Sequence, residues 1–367
     1  MTESSQENDF PSFTIGVLTT GQRNTAFARL LDSIEVARDR YSGDVELVVG
    51  TDSPDDVSEI VSEADIQTRM VETAGTAPAG RSKLVRIADT RWLLFVDDDC
   101  VVDCDILTEY ASVLETTEKD VGAVYGMVEF AGPRTTAFDA YRFTPFIHPF
   151  QIASTRKTVE WGTTANAVVS VPRVRSVGNF DRSNPASVSG EDVDIGIRLR
   201  KAGYQCITHR NAIVEHTTET WNSLVGNLNR CYHYGTSEAW LSRTYEHRRR
   251  PLLSFDGVLS GAVAAVGLFV FALCFSVLAV ASWGVSRTAQ WFVSYRPASL
   301  RAYLLADVYF LANYIGYMRQ IVFGPASARL VFVRFVFYSH PFQQERIRDD
   351  GVSGPSNRSS IDDSKSS

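Results

Sequence analysis

The chain has 367 residues, 44% of them hydrophobic, enough to bury a sizeable core in one large domain or two ordinary ones, which excludes a disordered chain. Acidic residues outnumber basic ones by 43 to 36, for a net charge of −7, and Arg far outnumbers Lys; this balance argues against a general nucleic-acid binder, which needs a basic face. The five cysteines are an odd set without a CxxC pair, so neither a zinc ribbon nor a disulfide framework is indicated, and a reducing compartment fits.

The start, "MTESSQENDFPS", is polar and acidic and lacks the regions of a secretory signal. Residues 1–11 read as a flexible N-terminus, and the part that follows is expected to stay in the cytoplasm. From 12 to 246, apolar β-type runs alternate with helical periodicity, which predicts an α/β domain with a mostly parallel sheet. "FTIGVLTTG" (13–21) reads as the first strand. It leads to a helix from near Asn24, with Phe27, Leu30, Leu31, Ile34 and Ala37 on one face. "VELVVGTDSPDD" reads as a second strand breaking into a polar loop, and a helix follows around 55–64. After "ETAGTAPAGRSKLVRIAD", the strand "RWLLFV" delivers Asp97, Asp98 and Asp99 at its carboxyl end, the edge where open α/β sheets bind ligands.

Clustered carboxylates repel one another unless a hard cation or a hydrogen-bond donor neutralises them. On an extended backbone Asp97 and Asp99 point to one side and Asp98 to the other. Such a DxD pair can share one Mg2+ or Mn2+ with a nucleotide; a solvated acidic turn is the alternative. In "SGEDVDIGIRLRKAGY" (189–204), Ile195 and Leu199 share a helical face and Gly203 supplies the stop, so Glu191 and Asp192 occupy the helix start. There Asp192 either caps the helix or acts as a general base toward an acceptor hydroxyl. "NAIVEHTT" places His216 after a short apolar run, either packed or as a metal ligand.

"GVLSGAVAAVGLFVFALCFSVLAVASWGV" (257–285) is uncharged and exceeds the ~20 residues that cross a bilayer, which predicts a transmembrane helix. "RRR" at 248–250 places its N-terminal flank in the cytoplasm. The stretch 303–323 carries Asp307 and Arg319 and is expected to re-cross, or to lie as an interfacial amphipathic helix. Residues 324–348 read as a membrane-proximal segment and 349–367 as a disordered tail. A multi-pass cell-membrane protein with a cytoplasmic α/β domain is the expected arrangement.

Taken together, these stretches resemble the family-2 glycosyltransferases of the GT-A fold, inverting enzymes that use a nucleotide-activated sugar, over about residues 12–235. "WGTTANAVVSVPRVRSVGNFD", "GEDVDIGIRLRKAGY" and "AIVEH" look like that family's acceptor loop, ED helix and late metal-ligand histidine, in order and at the usual spacing. "VLTTGQRN", "VVGTDSPDD" and "AGRS" sit where the family has its first nucleotide-binding turn, its base-binding aspartate and its donor-contacting Arg. The resemblance implies Thr20, Arg23, Asp52 and Arg81 at the nucleotide, Asp97 at the ribose or metal, Asp99 and His216 at the metal, and Asp192 as catalytic base. It implies Trp161, Gly162, Asn166 and Glu191 near the acceptor or transferred sugar. Gly21 departs from a commonly aromatic position, "GTDSP" from an Asp-Asp-Gly-Ser type loop, and "RS" from Arg-Asn.

The implied cofactor is Mg2+ or Mn2+, the implied donor a nucleotide sugar, and the enzyme class a hexosyltransferase-type glycosyltransferase without a nucleic-acid partner. "NLNRCYHYG" offers Arg230 but no QxxRW motif, so single-sugar addition is expected. Membrane lipid beside a cytosolic site points to a lipid-linked (dolichol-type) glycan acceptor. A haloarchaeal-type pathway of protein N-glycosylation fits the Arg-rich, acidic composition by analogy. Polysaccharide or protein acceptors, a glycoside hydrolase, a nucleotidyltransferase and a non-catalytic membrane scaffold with a degenerate transferase domain are the competing readings.

Overall fold

The computed structural model describes residues 10–73, 75–117, 120–180, 189–248, 283–289, 291 and 299–323. The crossing expected at 257–285 lies outside the described residues up to 282, and the segments 324–348 and 349–367 lie wholly outside them.

The apolar runs form one eight-stranded sheet: β1 (Phe13–Thr19), β2 (Val45–Thr51), β3 (Thr68–Glu72), β4 (Trp92–Asp97), β5 (Cys100–Val102), β6 (Val121–Ala131), β7 (Asn166–Ser170) and β8 (Gln205–Thr217), in the order β3-β2-β1-β4-β7-β6-β8-β5. The pairs β1–β2, β1–β4, β2–β3 and β6–β8 are parallel; β7 runs antiparallel to β4 and β6, and β5 to β8. The carboxyl ends of β1, β2 and β4 therefore share one edge, as the α/β reading requires.

Helices α1 (Asn24–Arg40), α2 (Pro54–Glu63) and α4 (Ile106–Thr116) cover one face of the sheet, and α1 buries the five apolar residues its spacing predicts. Helices α3 (Ala77–Ile87), α6 (Val171–Ser176) and α7 (Glu191–Lys201) cover the other. Helix α7 ends where expected: Gly203 takes φ +90, and the Tyr204 N–H returns to the Leu199 carbonyl at 3.0 Å.

A further cluster joins α5 (Thr136–Arg142), the 3-10 helix Pro145–Ser154, α8 (Leu224–Thr244) and α9 (Leu300–Phe323) around Phe138, Tyr141, Phe146, Trp221 and Tyr309. Helix α9 spans the stretch expected to re-cross a membrane, yet among the described residues no helix is long and apolar enough to do so. Charged residues Arg301, Asp307 and Arg319 interrupt it, and its buried face meets protein. Asn313 Nδ2 donates to the Cys231 carbonyl and the Tyr309 hydroxyl to the Ala137 carbonyl, both at 3.1 Å.

The backbones of α8 and α9 touch. A Cβ at Gly235 would stand 1.8 Å from the Asn313 carbonyl oxygen, and one at Gly316 2.0 Å from that of Tyr232. The folded unit therefore extends past the boundary expected at 246. Gly316→Ala forces the two helices apart, because backbone rather than a movable side chain fills the space. Its expected cost is about 1–3 kcal/mol, read as a lowered midpoint in thermal or urea unfolding.

Candidate active site

The shared strand edge opens on a cleft of about 610 Å³ that reaches across to α7 and α8. Thr20 and Asp52, which follow β1 and β2, are exposed at its rim. Strand β4 ends at Asp97, and the chain turns through Asp98 and Asp99 before β5. Asp98 accepts from Thr19 Oγ1 at 2.8 Å and from Arg23 Nη1 at 2.7 Å, and the same guanidinium nitrogen lies 3.2 Å from Asp99. Asp97 meets Arg81 Nη2 at 3.3 Å, while the other arm of Arg81 is paired with Glu191. The expected DxD alternation is thus corrected. The extended backbone stops at Asp97, so Asp97 groups with Arg81, and Asp99 groups with His216.

Asp99 and His216 are each 4% exposed, and His216 Nε2 stands 3.4 Å from Asp99 Oδ1. On its other side, His216 Nδ1 contacts the Thr217 carbonyl at 3.1 Å. A carbonyl only accepts, so that bond puts the proton on Nδ1 and leaves the Nε2 lone pair facing the carboxylate. Asp99 Oδ1 has no hydrogen-bond partner among the described residues. Two buried acceptors facing each other call for a cation, and two ligands ~2.1 Å from one octahedral ion lie about 3 Å apart. Phe130 stacks on the imidazole with centroids 5.5 Å apart and fixes its plane. Cys100 completes the cluster of ligand-type atoms. Burial first, then Asp97 and Asp99, push its thiol up, which keeps it neutral and part of the core. The Asp99–His216 donor set fits Mg2+ or Mn2+.

Helix α7 begins after Gly190, at φ +87, and aims Glu191 and Asp192 into the cleft. Glu191 is 4% exposed and held by Arg81. Half-buried Asp192 accepts from the Val193 N–H at 2.8 Å. Burial first, and the Glu191 charge second, push its carboxyl up to about 7 against the pull of Arg81. A carboxylate with that affinity for a proton is suited to general-base work near neutrality.

Trp161 lines the cleft, but Gly162 and Asn166 do not, contrary to expectation. Gly162 lies flat on Tyr125, whose ring a Cβ would meet at 2.4 Å. Asn166 is fully buried: it accepts from the Tyr110 hydroxyl at 2.6 Å and donates to the Met127 and Ala212 carbonyls, both at 2.9 Å. It clamps the irregular β6–β8 register beyond Gly126 and has no donor left for a sugar.

The opposite wall comes from α8, which the motifs did not reveal. Gly226, Asn229, Arg230, His233, Tyr234, Ser237, Glu238 and Leu241 all line the cleft, at spacings of three and four along one helical stripe. Polar residues at that period were a signal available in the sequence. Ser237 ties this wall to the start of α7: the Ser189 and Ser237 hydroxyls are 2.6 Å apart, and Ser237 Oγ donates to the Ser189 carbonyl at 2.8 Å.

The match to a family model makes this fold with its carboxylate-lined cleft a glycosyltransferase. The chain belongs to the glycosyltransferase-like family 2, whose family model matches residues 11–233. Its fold is similar to that of the mannosyltransferase PcManGT from Pyrobaculum calidifontis, solved with GDP-Man and Mn2+. Identity there is 18% and the TM-score 0.59, over 85% of this chain and 88% of that one. Weaker likenesses are to GalNAc-T7 solved with UDP, GalNAc and Mn2+ (10% identity, TM-score 0.44, 64% and 52% covered) and to S. aureus TarS 1–349 (12%, 0.40, 84% and 91%). No curated protein matches the chain in sequence.

Asp192 makes stability depend on pH. Its folded-state proton affinity, near 7, lies above the usual ~3.9 of an aspartate, so its stabilising contribution is full below about pH 4 and is lost as pH rises through 7. Asp192→Asn removes that loss. Its stability relative to the native chain is expected to increase between about pH 4 and pH 8, measured as the difference in urea midpoint. A difference that stays flat with pH rejects the raised affinity.

Proposed function

We propose that the chain transfers a sugar from a nucleoside-diphosphate sugar to a hydroxyl of a lipid-linked glycan, with inversion, at the cytoplasmic face of a membrane. The observation that carries this reading is the buried Asp99–His216 acceptor pair in the same cleft as the near-neutral carboxylate of Asp192. The GDP-Man and Mn2+ held by PcManGT, a protein of similar fold, support the choice of donor and cation.

Asp99 and His216 would hold the divalent ion, which when bound neutralises the charge developing on the departing diphosphate. Thr20 and Asp52 line the nucleotide end. Arg23 and Arg81 keep the aspartates apart in charge and in position. Asp192 takes the proton of the acceptor hydroxyl as its oxygen attacks the anomeric carbon from the face opposite the leaving group, and one displacement inverts the centre. Trp161 supplies an aromatic surface beside that base. Membrane attachment is supported by the uncharged stretch 257–285 and by Val308 and Ile315, which α9 leaves exposed. The haloarchaeal N-glycosylation setting rests on composition and analogy.

The test uses membranes containing the protein with radiolabelled UDP-, GDP- and dTDP-sugars and Mn2+ or Mg2+, scored as label in the organic-extractable fraction. Label is expected to require the cation, to vanish on chelation, and to be lost in Asp99→Ala and His216→Ala. Label that survives chelation overturns the cation-dependent mechanism. Asp192→Asn is expected to keep donor binding while transfer falls about 10²–10⁴-fold. The native rate at low acceptor concentration should rise with pH and level off above about 7, because only the deprotonated base works. An Asp192→Asn enzyme with the native rate removes the base.

A further inference from the structure

The cleft contains a charged pair that the chemistry above leaves unused. Glu238 of α8 accepts from Arg248 Nη2 at 3.0 Å, and Arg248 also lies 3.9 Å from Glu160. Sequence alone assigns Arg248 to a basic membrane flank. In the fold it is 6% exposed and Glu238 4% exposed, and both line the cleft. Each keeps an idle atom, since Glu238 Oε1 and Arg248 Nε have no hydrogen-bond partner among the described residues. Buried polar atoms are almost always paired, so an idle acceptor and an idle donor on two touching side chains mark a place that a ligand completes.

That place adjoins the base. Glu238 follows Ser237, the residue that ties α8 to Ser189 three positions before Asp192. Leu241, one turn further along α8, packs in one apolar cluster with Trp161 and Val193, and all three reach the cleft. The surroundings are charged: Glu160, Glu191 and Asp192 stand with Glu238, against Arg248, Arg81, Arg230 and His247. Glu191 is paired with Arg81, Glu238 with Arg248 and Glu160 with His247, so these side chains present paired rather than free charge, which suits a neutral ligand that both donates and accepts hydrogen bonds.

We propose that Glu238 and Arg248 form the acceptor subsite and read two neighbouring hydroxyls of a neutral sugar ring. One hydroxyl donates to Glu238 Oε1, the next accepts from Arg248 Nε, and the C–H face of the ring lies on Trp161 and Leu241. The attacking hydroxyl then belongs to a glycan, not to a lipid phosphate or a protein side chain. This inference rests on the transferase reading and names its acceptor class.

The experiment is saturation-transfer NMR on the full-length protein in detergent, with methyl glycosides of mannose, glucose and galactose and with a short-chain isoprenyl phosphate as probes. Mn2+-dependent affinity for the nucleotide sugar is measured in the same samples. The native protein is expected to bind at least one methyl glycoside, and Glu238→Gln to weaken it about tenfold or more. Arg248→Lys keeps the ion pair but removes the Nε donor, and is expected to act likewise; it carries the test if Glu238→Gln fails to fold. Nucleotide-sugar affinity should stay within about twofold in both. Unchanged glycoside affinity in either folded variant overturns the subsite, as does a native protein that binds only the isoprenyl phosphate. Absence of Mn2+-dependent nucleotide-sugar binding in the native protein instead overturns the transferase reading, and the acceptor role with it.

Discussion

Five carboxylates, Asp97, Asp98, Asp99, Glu191 and Asp192, converge on one cleft, with Arg23 and Arg81 standing between them. Like charges this close cannot share a low-dielectric space without compensation, and each guanidinium joins two elements while providing it. Arg23 holds the turn after β1 against the Asp98–Asp99 turn. Arg81 holds α3 against the end of β4 and the start of α7. The two Arg81 contacts that help make the acidic cluster tolerable therefore also set the distance between the sheet edge and the helix carrying Asp192. Compensation is incomplete at Asp99 Oδ1, at Glu191 Oε2 and at Asp192, and the first and last are where the proposed cation and proton transfer would act.

Much of this was legible in the sequence because it is local. The spacing of Phe27, Leu30, Leu31, Ile34 and Ala37 dictates α1 without help from the rest of the chain, and Gly203 stops α7 by its own backbone freedom. The order of the Asp97–Asp99, Glu191–Asp192 and His216 motifs led to the cleft. What failed was non-local. Asn166 sits in a stretch expected near the acceptor, but the irregular β6–β8 register, contributed by distant residues, claims both its amide donors, and Tyr110 its oxygen. The alternation assigned to Asp97 and Asp99 assumed a strand that stops one residue too soon for it. Hydropathy in α9 could not say whether its apolar face meets lipid or another helix, and Gly235 on α8 answers that.

The two walls of the cleft are built from different materials. The wall proposed for the donor is strand ends and tight turns, rigid because the sheet fixes them. The wall proposed for the acceptor is one face of α8, where side chains at helical spacing can vary without disturbing the sheet. In the proposed reading chemistry and specificity are thus separated, joined at the Ser189–Ser237 contact.

The glycine contact between α8 and α9 also constrains topology. Because α9 rests on the catalytic unit, Arg248 and Leu300 end on the same side of any bilayer, whichever path the chain takes between them.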